Sequence, residues 1–145
     1  MERVAALGLD VGRRRIGVAG CDGTGLIATG LTTIRRTNWT ADVRQLQEIV
    51  TERGAEILVI GLPYNLDGTV GAQAKQTQKF AVRISDALEL PFEYVDERLT
   101  SVEATAQLKS QKQFSSYDKG AIDRRAAAII LQQWLDMRRA SKTRD

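Results

Sequence analysis

The sequence contains no histidine. The usual general base near neutral pH and the commonest zinc ligand are therefore both missing, and Ser-His and Cys-His mechanisms are ruled out. Chemistry is left to carboxylates, lysine, tyrosine, backbone groups or a metal ion. Asp10 closes an apolar run that begins at Val4. An acid at the end of a buried strand is costly unless something compensates its charge, and a divalent cation with oxygen ligands is one such compensator. The alternative is a turn aspartate bonding to the backbone of Val11 to Arg13.

Asp96-Glu97-Arg98 follows the last apolar strand pattern. Alternation leaves open which acid faces the sheet end. If one strand separates the first strand from the last, their backbones lie about 10 Å apart, and the longer Glu97 reaches farther than Asp96. An ordinary charged turn is the alternative for all three residues. Asp123 falls in the first turn of a helix, where free amides and the helix dipole already favour a negative group. Ala126 and Ala127 share its face, and such small side chains let that helix end approach a sheet closely. Around these acids stand basic groups suited to phosphate contact: Arg13, Arg14 and Arg15 in a turn beside Asp10, Arg98 after Glu97, and Arg124 and Arg125 after Asp123. Solvated surface arginines are the plainer reading of the last two. Phe114 and Tyr117 can stack on bases or simply pack. The glycines of Leu62 to Gly71 allow close approach to the free amides of a following helix.

The elements that must position these groups follow from patterning. Val4 to Asp10, Arg15 to Gly20 and Leu26 to Ile34 read as three strands of an antiparallel meander. Trp39, Val43, Leu46 and Val50 recur at helical spacing, and Gly54 stands where that helix stops. Ile57-Leu58-Val59-Ile60, closed by Pro63, suits a strand buried on both faces. Thr77, Phe80, Ala81, Ile84 and Leu88 form a second helical stripe. Phe92 to Val95 is the last strand, and Thr100-Ser101-Val102-Glu103 has the spacing of a capping box opening a further helix. Residues 110–120 are polar and weakly patterned, which predicts a mobile loop. The final helix starts near Ala121 with a stripe of Ile122, Ala126, Ile129, Ile130, Trp134 and Met137, and a basic, flexible tail is expected from about residue 138. The order predicts an α/β fold: a mixed five-stranded sheet, with an antiparallel three-strand meander and two parallel strands, flanked by helices. In such sheets ligands gather at the carboxyl ends of the strands, where Asp10 and Glu97 both stand.

The 145 residues fit one domain, 1–145, able to bury a core without disulfides. The lone Cys21 reads as a small buried thiol in a reducing setting. No apolar run approaches the roughly 20 residues of a membrane span, so a soluble cytoplasmic protein, with no membrane partner, is expected. The net charge of +3 suits phosphate-bearing partners without demanding them.

Together, Gly8-Leu9-Asp10-Val11-Gly12 with Ile16-Gly17-Val18-Ala19, Val59-Ile60-Gly61-Leu62-Pro63, Asp96-Glu97-Arg98-Leu99-Thr100, and Asp123 followed by Ala126-Ala127 and Ile130-Leu131-Gln132 resemble the YqgF/RuvX family of the ribonuclease H-like superfamily. The resemblance spans nearly the whole chain. It implies a ribonuclease H-like fold and a metal-dependent nuclease whose acids Asp10, Glu97 and Asp123 are catalytic and hold Mg2+ or Mn2+. The implied partner is nucleic acid: pre-rRNA, in maturation of the 5′ end of pre-16S ribosomal RNA, or branched DNA, as a Holliday junction resolvase. The protein itself is expected as a monomer or weak homodimer. Junction-resolving relatives place an acid at the end of the fourth strand, whereas here that strand ends in Gly61-Leu62-Pro63, so Glu97 must substitute from the neighbouring strand. Arg124-Arg125 stands where more apolar character is expected.

Two rival readings compete. Asp-Val-Gly followed by a hairpin also resembles the first phosphate motif of actin-like ATPases and sugar kinases, but those close two such domains over ATP and this chain supplies one. A catalytically silent nucleic-acid-binding module would use only the basic turn and tail.

Overall fold

The computed structural model describes residues 3–97 and 119–143. Arg98, the capping-box segment 100–103 and the stretch 110–118 with Phe114 and Tyr117 lie outside them. The chain enters as β1 (Ala6–Val11), β2 (Arg15–Cys21) and β3 (Ala28–Arg35), then α1 (Trp39–Arg53), β4 (Ile57–Leu62), α2 (Ala72–Leu88) and β5 (Phe92–Asp96), and ends in α3 (Lys119–Thr143). Three boundaries have a clear local cause. Asn38 accepts the amide of Ala41 at 2.9 Å to cap α1. Gly54 stops it at φ 62°, a left-handed conformation that glycine adopts without a Cβ penalty. The third strand starts at Ala28 instead of Leu26, because the Asp22 carboxylate accepts the amides of Leu26 and Ile27, both at 2.9 Å, and holds them in a turn.

The five strands order as β3-β2-β1-β4-β5. The meander β1-β2-β3 is antiparallel, while β1 with β4 and β4 with β5 are parallel, as the sequence pattern predicts. One strand, β4, therefore separates β1 from β5. Both sheet faces are covered, so the central strands alternate between two cores. Leu7, Leu9, Ile16, Val18, Leu58 and Ile60 point toward α1 and α2, meeting Leu46, Val50, Phe80 and Ile84. Ala6, Ala19, Val59 and Val95 point the other way, toward Ala127, Ile130, Leu131 and Leu135 of α3. Each fully buried Leu or Ile contributes about 1.5–3 kcal/mol. Cys21 is buried on the α3 side as a free thiol. Among the described residues, no helix is long and apolar enough to cross a membrane.

Helix α3 sits differently from the sequence expectation. Its buried face is Ala127, Ile130, Leu131 and Leu135, with Trp134 partly buried and Met137 at 52% exposure on the solvent side. The expected stripe and the observed one are turned by about one residue, and both have helical spacing. The sheet makes the choice. Glycines in the sheet leave a bare seat for the helix: a Cβ at Gly8 would lie 2.7 Å from Leu131 Cβ and 2.8 Å from the Ala127 carbonyl. The helix also runs on to Thr143 through the segment expected as a loose tail. There Arg139 Nη1 donates to the carbonyls of Gly25 and Leu26 at 3.1 and 3.2 Å, and its Nη2 pairs with Asp136 at 2.5 Å.

Candidate active site

Asp10 is the fifth residue of β1 and lies one step beyond the last β1–β4 register pair, Leu9 with Ile60. That places it beside Gly61, on the α3 face of the sheet. Val95 of β5 is in register with Gly61, so Glu97, two residues on, keeps the same face. The Glu97 amide donates to the Leu62 carbonyl at 3.1 Å, which fixes the turn. Its side chain then passes directly over Gly61. A Cβ there would stand 2.6 Å from Glu97 Oε1 and 2.5 Å from Ile130 Cδ1, so the bare backbone of β4 is what lets Glu97 cross to Asp10. The two carboxyl groups meet in a hydrogen bond, which lowers Asp10 and raises Glu97. Burial and the Asp10 charge push Glu97 up to about 7. Burial and the Asp123 charge raise Asp10 to about 6, against the lowering effect of the Glu97 bond.

Asp123 comes to the same end of the sheet from α3. The helix meets β2 at Gly17, where any Cβ would collide with the Asp123 carbonyl. Thr33 anchors the helix start by donating to the Gly120 carbonyl at 2.5 Å. The Asp123 charge is felt at Asp10, but its Oδ2 is held by Arg15 Nε at 2.5 Å. Among the described residues, then, no three acids form a closed metal cage. The expected convergence is realised as a contacting pair, Asp10 and Glu97, with Asp123 close by and tethered. The cause is electrostatic: carboxylates this close cannot all be charged side by side, so two share a proton and the third takes a guanidinium as counter-charge. Such a set, all oxygen and ready to release a proton, has the donor chemistry that magnesium and manganese prefer.

The basic residues separate into groups. Arg13 and Arg14 are exposed in the β1–β2 turn, while Arg15 opens β2 and bonds Asp123. Arg124 lays its Cβ over Gly30 and sets Nη1 3.4 Å from Thr33 Oγ1, and Arg125 is exposed. Both border a cleft of 610 Å³ between β3 and α3. In the loop after β4, Asn65, Asp67 and Thr69 bond one another, and Gly71 starts α2 without a side-chain cap.

The sequence profile described as "RuvX: Holliday junction resolvase" matches residues 4–137. The chain belongs to the RuvX family. Relatives named "Putative pre-16S rRNA nuclease" include one from Rippkaea orientalis, 73% identical over 96% of this chain and 100% of its own length. Another, from Synechocystis sp., is 65% identical over 96% of this chain and 91% of its own length. Among solved structures, Thermus thermophilus RuvC in complex with a Holliday junction substrate aligns at a TM-score of 0.58 with 10% identity, covering 93% of this chain and 95% of that one. At that identity the likeness speaks for the fold, which is ribonuclease H-like.

The buried acid pair gives this RuvX-family protein a pH signature. Both groups bind protons more tightly folded than unfolded, where values near 3.8 and 4.5 apply. Between about pH 4 and pH 7 the folded state therefore carries more protons, and the contribution of the pair to stability falls as pH rises, levelling off above about pH 7. Urea melts in a chelator should show the wild-type protein losing on the order of 2 kcal/mol, relative to an Asp10→Asn, Glu97→Gln double variant, across this window. A difference that stayed flat or grew in favour of the wild type would contradict the shared proton.

Proposed function

We propose that this RuvX-family chain is a metal-dependent endonuclease that hydrolyses phosphodiester bonds in structured nucleic acid, with maturation of the 5′ end of pre-16S ribosomal RNA as its role. One observation carries the reading: Glu97 arches over Gly61 to meet Asp10 at the carboxyl edge of a sheet whose last helix presents Asp123 to the same place. Asp10, Glu97 and Asp123 would hold Mg2+ or Mn2+, which supplies activation of water and stabilisation of the leaving oxygen. Asp10 and Glu97 would give up their shared proton to hold the ion. Arg15 positions Asp123 and keeps its charge directed at the site edge. Arg13 and Arg14, exposed beside Asp10, and Arg124 and Arg125 along α3 bind substrate phosphates. Arg98, next to Glu97 in sequence, is proposed to do the same. The protein acts in the cytoplasm as a monomer or weak homodimer.

The names of close relatives favour the ribosomal substrate, while the family description supports a second reading, resolution of four-way DNA junctions. Cleavage of a stem-loop RNA spanning the 5′ boundary of 16S rRNA and of a four-way DNA junction, each with magnesium or manganese, separates them. The RNA is expected to be cut at a defined position and faster than the junction. Binding without cleavage of either substrate under both metals would reduce the chain to a nucleic-acid-binding module.

A further inference from the structure

On the opposite side of the sheet from the acids, α2 and the β1–β2 turn enclose a cleft of 240 Å³. Four cations border it, Arg13, Arg36, Lys79 and Arg83, with Gln73 and Gln76 between them, and no carboxylate lines it. None of the four pairs with an acid among the described residues. Two are held in place by aromatic rings: Arg83 stacks on Trp39 with its guanidinium 3.9 Å from the ring centre, and Arg36 lies 5.2 Å from the centre of Phe80. Arg36 is further fixed by a 2.8 Å bond from Nη1 to the Gly12 carbonyl. Lys79 and Arg83 stand four residues apart on one helix face, an arrangement in which like charges repel. Four cations without an acid among them, two held in place by rings, suit an anion. Its position narrows the choice. Val11 and Gly12, which also line the cleft, directly follow Asp10, so cleft and acids share the same edge of the sheet, with no more than about 7 Å of chain between Asp10 and Gly12.

We propose that this cleft binds the phosphodiester backbone of a second segment of the substrate, led around the edge of the sheet from the acid site. The inference rests on the nuclease reading above. It assigns Arg36, Lys79 and Arg83 a part that their sequence context does not announce. Arg13 joins the cleft to the basic turn beside Asp10, so one substrate reaches both faces.

Fluorescence anisotropy with the same labelled stem-loop RNA and DNA junction, titrated at several potassium chloride concentrations, tests this. Lys79→Gln with Arg83→Gln is expected to weaken binding about tenfold at low salt, and to flatten the dependence of log Kd on log salt by about two, one for each phosphate that no longer meets a cation. Lys79→Glu alone, at an exposed side chain that supports no packing, should weaken binding at least as much as neutralising that one cation would, and leaves the fold intact by circular dichroism. In cleavage assays KM should rise while kcat holds. Unchanged affinity and slope in both variants, with wild-type protein binding and cutting normally, overturns the cleft and leaves the nuclease reading standing. Failure of the wild-type protein to bind either nucleic acid overturns both.

Discussion

Asp10→Asn is expected to lower metal-dependent cleavage by about a thousandfold or more, which corresponds to about 4 kcal/mol of transition-state stabilisation. The same substitution should make the metal-free protein more stable at pH 7. The wild-type side chain is raised in pKa because burial and the Asp123 charge oppose its charge, and a neutral amide of the same shape removes that opposition. The expected gain is on the order of 1–2 kcal/mol. Opposite signs in the two measurements make the test sharp. A structural aspartate in a turn would lose stability on substitution and leave the rate nearly unchanged. Single-turnover cleavage and a urea melt of the same preparation suffice, and a loss of stability with the cleavage rate unchanged would remove Asp10 from the chemistry.

The second large effect is expected at Gly17, which α3 covers. A methyl group there would overlap the carbonyl of Asp123. The obstacle is helix backbone, not the flexible end of a side chain, so α3 must move away from β2 as a unit. Gly17→Ala is expected to destabilise the protein by about 3 kcal/mol, at the upper end of the usual range for overpacking. Activity should fall by at least about a hundredfold even at temperatures where the variant is fully folded, because Asp123 moves away from Asp10 and Arg15 by about the width of the inserted methyl, and misplacement of about 1 Å is enough for such a loss. Differential scanning calorimetry and cleavage well below the transition check this. A variant that is destabilised yet fully active when folded would show that the seating of the helix does not position the site.

Local patterning carries most of the architecture. The run Ile57-Leu58-Val59-Ile60 is apolar on both sides because β4 is buried on both faces, and the stripe from Thr77 to Leu88 matches the buried face of α2. Information that belongs to pairing is out of its reach. Asp96 and Glu97 cannot be told apart from their own segment, since their faces follow from the registration of Val95 against Gly61. Gly61 looks in sequence like a missing acid, whereas in space it is the opening through which an acid from the next strand passes. Adjacency groups Arg15 with Arg13 and Arg14. Its alternation with Ile16 and Val18, in step with Gly17 and Ala19, is a usable sign that it faces α3, where Asp123 holds it. The one-residue turn of α3 has the same origin: two stripes of equal spacing compete, and glycines on distant strands decide between them.

The tether between Arg15 and Asp123 links positions 108 residues apart. Pairings of such long sequence separation close late in folding, after the local hairpin and crossover units have formed. Since chains emerge from the ribosome N-terminal end first, Asp10 is synthesised long before its distant partner exists. On the proposed assignment of Asp123 to the site, the nascent protein would pass most of its synthesis unable to cut and become competent only when the final helix docks.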